Sequence, residues 1–164
     1  MEGFPSISHQ RALPATLERL AAIGPCGPTN LPAVLHRFKA LRLRRGVVVV
    51  ISDFFDPAGI DALLESLSGL PHKLLLIQLC DERDAQPNIS GELSLVDCET
   101  GHDLRVTVTP RLVEEYQRIY AAFQHKLLAF STKRMAGYLT INVRRNVLEQ
   151  FLELFSNGVI TTGG

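Results

Sequence analysis

Residues Gly46 to Asp53 read GVVVVISD, a run of β-branched side chains followed by a polar pair. Such a run is typical of a strand that is covered on both faces by helices in a parallel sheet. In sheets of this kind, ligands bind outside the carboxyl ends of the strands, where side chains converge. The stretch therefore predicts a fully buried strand that brings Asp53 to the ligand-binding edge of an α/β domain.

The segments that follow predict a parallel unit built on this strand. Asp56 and Pro57 fit the N-cap and the first residue of a helix, and a second apolar run at residues 74–79 ends just before Asp81. Two strands joined by one helix form a βαβ unit, in which both strands run in the same direction. Asp53 and Asp81 should therefore emerge at the same edge of the sheet.

Apolar spacing and turn residues predict the remaining elements. They are helices at 13–23, 31–41, 110–130 and 147–155, a short strand at 138–143, and a hairpin of strands 92–97 and 103–108 that turns near Gly101. Asn30, Thr109 and Asn146 are the expected helix caps. The longest helix carries one apolar stripe that we expect to be packed in the core: Leu112, Tyr116, Ile119, Tyr120, Phe123, Leu127 and Phe130.

Composition narrows the class of protein. The chain has 164 residues, the size of one domain, with seventeen basic and seventeen acidic residues. A balanced charge argues against nucleic-acid binding, which normally shows as a basic excess. The longest apolar run, residues 47–51, is far too short to cross a membrane, and three cysteines without CxxC spacing indicate reduced thiols. We expect a cytoplasmic protein without membrane insertion.

Candidate site residues each have a structural alternative. Asp53 could hold a metal ion or cap the next helix, and Asp56 competes for the capping role. Thr29 stands at a helix start, where local capping is the commoner role. The histidines show no metal-binding motif, so we expect solvated or hydrogen-bonded side chains at His9, His36, His72, His102 and His125. One basic run shows no phosphate-binding motif, so we expect it to form a solvated helix face: Arg37, Lys39, Arg42, Arg44 and Arg45.

Four stretches taken together resemble one protein family. They are GPTNLPAVLHRF, RRGVVVVISDFFDP, LLLIQLCDERDAQP and GELSLVDCETG, in that order. Over about residues 13 to 157 the chain resembles the C-terminal half of the domain-of-unknown-function 58 family. The resemblance implies a three-layer von Willebrand factor A-like fold, a mostly parallel Rossmann-like sheet with a peripheral hairpin, truncated on its N-terminal side.

The resemblance also implies the remnant of a metal-ion-dependent adhesion site. It puts the site's threonine at Thr29 and its aspartate at Asp53, beside Ser52. The upstream DxSxS element that supplies further ligands is absent, and residues 1–28 contain no aspartate. We therefore expect weak or no binding of Mg²⁺ or Mn²⁺ unless a partner supplies the missing ligands.

The same comparison makes one strand edge a candidate interface. In the full fold a first strand lies beside residues 47–51, and that neighbour is missing here. Unpaired edges recruit other chains. We expect a protein partner or a second copy to bind at Val47, Val49 and Ile51, and the family resemblance implies a MoxR-type AAA+ ATPase as partner.

The favoured hypothesis is a non-enzymatic interaction module formed by residues 1–164 as a single partial domain, with flexible ends at 1–9 and 158–164. The alternative is a metal-dependent hydrolase or phosphotransferase that uses Asp53 with Asp81. A third possibility is a gene fragment without independent function.

Overall fold

The computed structural model describes residues 13–24, 29–97 and 100–156, with side chains to residue 153. Its helices are α1 (Leu13–Ala21), α2 (Leu31–Ala40), α3 (Ile60–Ser68), α4 (Glu82–Ala85), α5 (Pro110–Arg134) and α6 (Val147–Ser156). Its strands are β1 (Val47–Ser52), β2 (Lys73–Cys80), β3 (Gly91–Val96), β4 (Asp103–Val108) and β5 (Gly137–Asn142). The predicted flexible ends, Cys26 and Cys98 lie outside the described residues.

The strands form two sheets. One is a parallel sheet of three strands in the order β1-β2-β5, and the other is the antiparallel hairpin of β3 and β4. Ser52 of β1 lies beside Gln78 of β2, so the two strands end at the same edge, as predicted. The predicted α/β class, the mostly parallel sheet and the separate hairpin are confirmed.

Helices lie on both faces of the parallel sheet, but they cover it unequally. On one face α2, α3 and α5 enclose the main core, whose fully buried members include Leu63, Leu67, Leu76 and Leu127. On the other face α6 places Phe151 against Ile77 of β2 and against Leu139 and Ile141 of β5. No described helix covers β1 on that second face.

The prediction that β1 is buried on both faces is wrong. Only Val50 is buried, while Val47, Val49 and Ile51 are exposed by 65, 49 and 61%. Successive strand residues point to opposite faces, so these three share the uncovered face. An apolar run shows which side chains a strand can bury, but whether they are buried depends on the helices that pack against each face of the sheet.

Apolar helix faces are also less buried than their spacing indicates. In α5 the stripe is buried at Tyr120, Leu127 and Phe130, whereas Leu112, Tyr116 and Ile119 stay exposed. These three precede the part of the helix that contacts the sheet core. The expectation of continuous core packing along α5 is therefore correct only from Tyr120 onwards. Every apolar side chain that α1 carries at helical spacing is exposed as well: Leu13, Leu17 and Leu20.

Candidate functional site

The turn after β1 is held by its own polar side chains. The Ser52 hydroxyl accepts a hydrogen bond from the Phe54 amide at 3.0 Å and donates to Oδ1 of Asp53 at 3.3 Å. The same Asp53 oxygen accepts from the Phe55 amide at 3.0 Å. Asp53 thus closes a local turn at the carboxyl end of the strand, and no hydrogen bond of the described residues makes it a helix cap.

Asp56 stabilises a different helix from the one that the sequence predicts. Its Oδ1 accepts from the Ala58 amide at 2.9 Å, and its Oδ2 accepts from the Leu31 amide, at the start of α2, at 2.7 Å. Helix α3 instead begins after Gly59, whose φ of +84° suits glycine. The prediction of Asp56 and Pro57 as the start of α3 is wrong, because the carboxylate binds a backbone amide 25 residues earlier.

That hydrogen bond joins two of the predicted site segments. Asn30 caps α2 by accepting from the Ala33 amide at 2.8 Å, so Thr29 precedes the cap by one residue. Thr29 therefore lies two residues from Leu31, which contacts the loop that follows Ser52 and Asp53. The start of α2 and the turn after β1 therefore meet.

Asp81, the second predicted carboxylate, already forms ion pairs with arginines of the same chain. It caps α4, and its Oδ2 forms ion pairs with Arg83 and Arg144, both at 2.8 Å. Asp81 and Asp53 line one shallow depression of about 350 Å³. Both oxygens of Asp81 already accept hydrogen bonds from within the chain, so this geometry gives little support to a hydrolase that uses Asp53 with Asp81.

Cys80 and the described histidines add no ligand set, and His9 lies outside the described residues. Burial, followed by the nearby carboxylates of Asp84, Asp81 and Glu82, raises the pKa of the Cys80 thiol, which keeps it protonated and unreactive near neutral pH. His72 is buried against Phe38 with both ring nitrogens lacking a described partner, so it is neither solvated nor hydrogen-bonded as predicted. Within residues 13–24, 29–97 and 100–153, no three His, Cys, Asp or Glu side chains are grouped to hold a metal.

A larger cleft of about 710 Å³ lies between the turn after β1 and helix α5. Its wall includes a group of aromatic rings, in which Phe55 stacks on Phe123 at a centroid distance of 4.9 Å and Tyr116 stacks on Tyr120 at 6.1 Å. Burial and neighbouring acidic groups raise the pKa of Tyr120 to about 12, so its hydroxyl is protonated at neutral pH. Sequence reasoning missed this cleft, because it treated the α5 aromatics as core and did not consider Phe55.

The candidate interface residues Val47, Val49 and Ile51 lie on the open sheet face described above. β1 is also the edge strand of its sheet, with β2 as its partner among the described residues. An exposed apolar face and an edge with free backbone groups therefore occur on the same strand. Within the described parts of the chain, no helix has both the length and the apolar character to cross a membrane.

Residues 1–126 match the model of a family described as "Protein of unknown function DUF58". The chain belongs to that family, and the resemblance seen in its four sequence stretches is confirmed. The match ends within α5, whereas the stretch judged similar from the sequence runs on to about residue 157.

The relatives that match the chain are described as uncharacterised proteins. The chain is similar to the uncharacterised protein MAV169 of Mycobacterium avium, with 29% identity over 133 residues that cover 79% of this chain and 77% of the relative. It is also similar to the uncharacterised proteins Mb1516 of Mycobacterium bovis and Rv1480 of Mycobacterium tuberculosis, at 28% identity. The chain spans 41% of the length of those two relatives. No solved structure matches the chain.

Proposed function

We propose that this protein is a non-enzymatic, cytoplasmic interaction module with a von Willebrand factor A-like fold, which binds another protein chain through β1. The observation that carries the proposal is the open face of that strand. Val47, Val49 and Ile51 expose about half or more of their surfaces, although strand residues in a parallel sheet are normally covered.

The strand order supports the same conclusion. β1 lies at the edge of the sheet, where the full von Willebrand A-like fold would place its first strand. A chain that adds a strand there would satisfy the backbone groups of the edge, and a further element of that chain, packed on the open face, would cover the three apolar side chains. A second copy of this chain, or a MoxR-type AAA+ ATPase as the family resemblance suggests, would be such a partner.

The direct test is the oligomeric state of the full chain. We expect light scattering at micromolar concentration to show a mass above that of one chain, increasing with concentration. Thermal unfolding monitored by circular dichroism should show a cooperative transition, which establishes that the associating species is folded. A clean monomer that unfolds cooperatively would contradict self-association, and failure of such a monomer to bind a MoxR-type ATPase would contradict the proposal as a whole.

We further propose that Thr29, Ser52 and Asp53 are the remnant of an adhesion-type metal site. Mg²⁺ favours octahedral oxygen coordination and is usually held by one or two carboxylates with other oxygen ligands. Here Asp53 is the one carboxylate of the three residues, and one of its oxygens already accepts from the Phe55 amide. One carboxylate and two hydroxyl groups are too few ligands for such an ion, so a functional site would need further ligands from a partner.

Calorimetric titration with MgCl₂ and with MnCl₂ should therefore show no binding tighter than roughly millimolar, because too few charged oxygens are gathered. Asp53→Asn, which removes the carboxylate charge, should give the same titration curve as the unaltered chain. Micromolar affinity that disappears in Asp53→Asn would contradict the remnant hypothesis.

A further inference from the structure

The cleft between the turn after β1 and α5 has the size and composition of a binding site. Its volume of about 710 Å³ is within the roughly 300–1,000 Å³ that is typical of ligand pockets. Phe55, Tyr116 and Ile119 line it and remain exposed, with 46% of the Phe55 surface accessible. The cleft therefore presents an apolar and aromatic surface that the chain leaves open.

The charges of the cleft favour a cation. Asp53 and Asp56 line it, and neither forms an ion pair with a Lys, Arg or His of the described residues. The two basic residues of the wall are already compensated, since Arg118 pairs with Glu115 and Lys126 pairs with Asp61. Aromatic faces beside carboxylates attract guanidinium groups, which stack on rings and bond to carboxylates in the same plane.

The chain itself carries a segment with the complementary chemistry. Residues 41–45 read LRLRR, follow the end of α2 and are all exposed. Leu41 and Leu43 are 59 and 52% accessible, and the three arginines of the segment form no ion pair with the described residues. The basic run at residues 37–45 is therefore exposed to solvent, as expected. Its last three arginines, Arg42, Arg44 and Arg45, lie after the end of α2 and not on a helix face.

This segment cannot reach the cleft of its own chain. It precedes β1, whereas the cleft lies beyond the carboxyl end of that strand. The six residues of β1 separate them by roughly 20 Å at about 3.3 Å per residue. A contact between the two must therefore form between copies.

We propose that residues 41–45 of one copy dock in the aromatic cleft of a second copy. The arginines lie against Phe55, Asp53 and Asp56, and the leucines contact the apolar wall near Ile119. Because residues 41–45 and the cleft are different surfaces, the contact is head-to-tail. Each copy then has one surface of each kind, so further copies can add to form a chain of molecules. It is separate from the proposed contact at β1.

The test is a titration with a peptide of the chain's own sequence. The probe is residues 40–46, acetylated and amidated, and the reporter is tyrosine fluorescence, since Tyr116 and Tyr120 are two of three tyrosines in a chain without tryptophan. We expect saturable binding, weakened about tenfold or more when citrulline replaces the arginines, because the charge is lost while the shape is kept. The titration is repeated on the double variant V49K/I51K, in which the proposed contact through β1 is disrupted. Peptide binding that persists in this variant does not depend on the β1 proposal, so the two proposals can fail separately.

Variants of the protein locate the site. Asp53→Asn and Phe55→Ala should each weaken binding about fivefold or more, whereas Glu114→Gln, which removes an exposed charge of α5 outside the cleft, should not. Phe55→Leu is used if Phe55→Ala does not fold. Absence of binding, equal affinity for the citrulline peptide, or unchanged affinity in both cleft variants would each overturn the proposal.

Discussion

A chain in which lysine replaces both Val49 and Ile51 is expected to lose the contact through β1 and therefore to associate much more weakly than the unaltered chain. Both side chains lie on the open face of β1, with 49 and 61% of their surfaces exposed. Burying the exposed part of a Val or Ile contributes roughly 1–2 kcal/mol, and a charge on an edge strand opposes pairing with another strand. Together the changes should raise the dissociation constant by about 100-fold or more.

Sedimentation velocity over a range of concentrations measures this effect. Leu104→Lys is the matched control, because Leu104 is an equally exposed apolar strand residue, at 64%, but belongs to the hairpin. Its association should equal that of the unaltered chain. If V49K/I51K associates like the control, β1 is not the interface.

Phe54→Ala should cause the largest loss of stability among the turn residues that follow β1. Phe54 has no exposed surface and belongs to the main core, together with Val50 and Leu63. Truncating a buried Phe costs about 3–5 kcal/mol, from lost apolar burial and the cavity that remains. Chemical denaturation should show this as a lower midpoint, and Phe55→Ala, one residue later and 46% exposed, should cost much less.

The backbone at Phe54 allows a sharper test. Its φ is +64°, in the left-handed region, which is unfavourable for residues with a Cβ atom but readily adopted by glycine. Phe54→Gly should therefore be at least as stable as Phe54→Ala, the reverse of the usual order within strands and helices. A Phe54→Gly chain that is clearly less stable than Phe54→Ala would contradict the left-handed turn.

The site beyond β1 shows where sequence reasoning succeeds and where it fails. The sequence predicts Asp53 at the edge of the sheet where the strands end, because a β-branched run followed by polar residues is typical of a strand and its end. For Asp56 the sequence predicts the wrong helix, because local spacing cannot reveal that its carboxylate accepts from the Leu31 amide. The two adjacent phenylalanines look alike in sequence, yet one is buried and the other stacks in the cleft.

The sequence by itself determined most of the helices and strands of this protein and the family to which it belongs. β-branched runs, apolar helix spacing and capping residues such as Asn30, Thr109 and Asn146 act within a few residues, so they can be recognised along the chain. Only the tertiary structure decided which apolar surfaces are covered. Burial depends on neighbours that are distant in sequence, and for this reason β1, expected to be fully buried, exposes Val47, Val49 and Ile51.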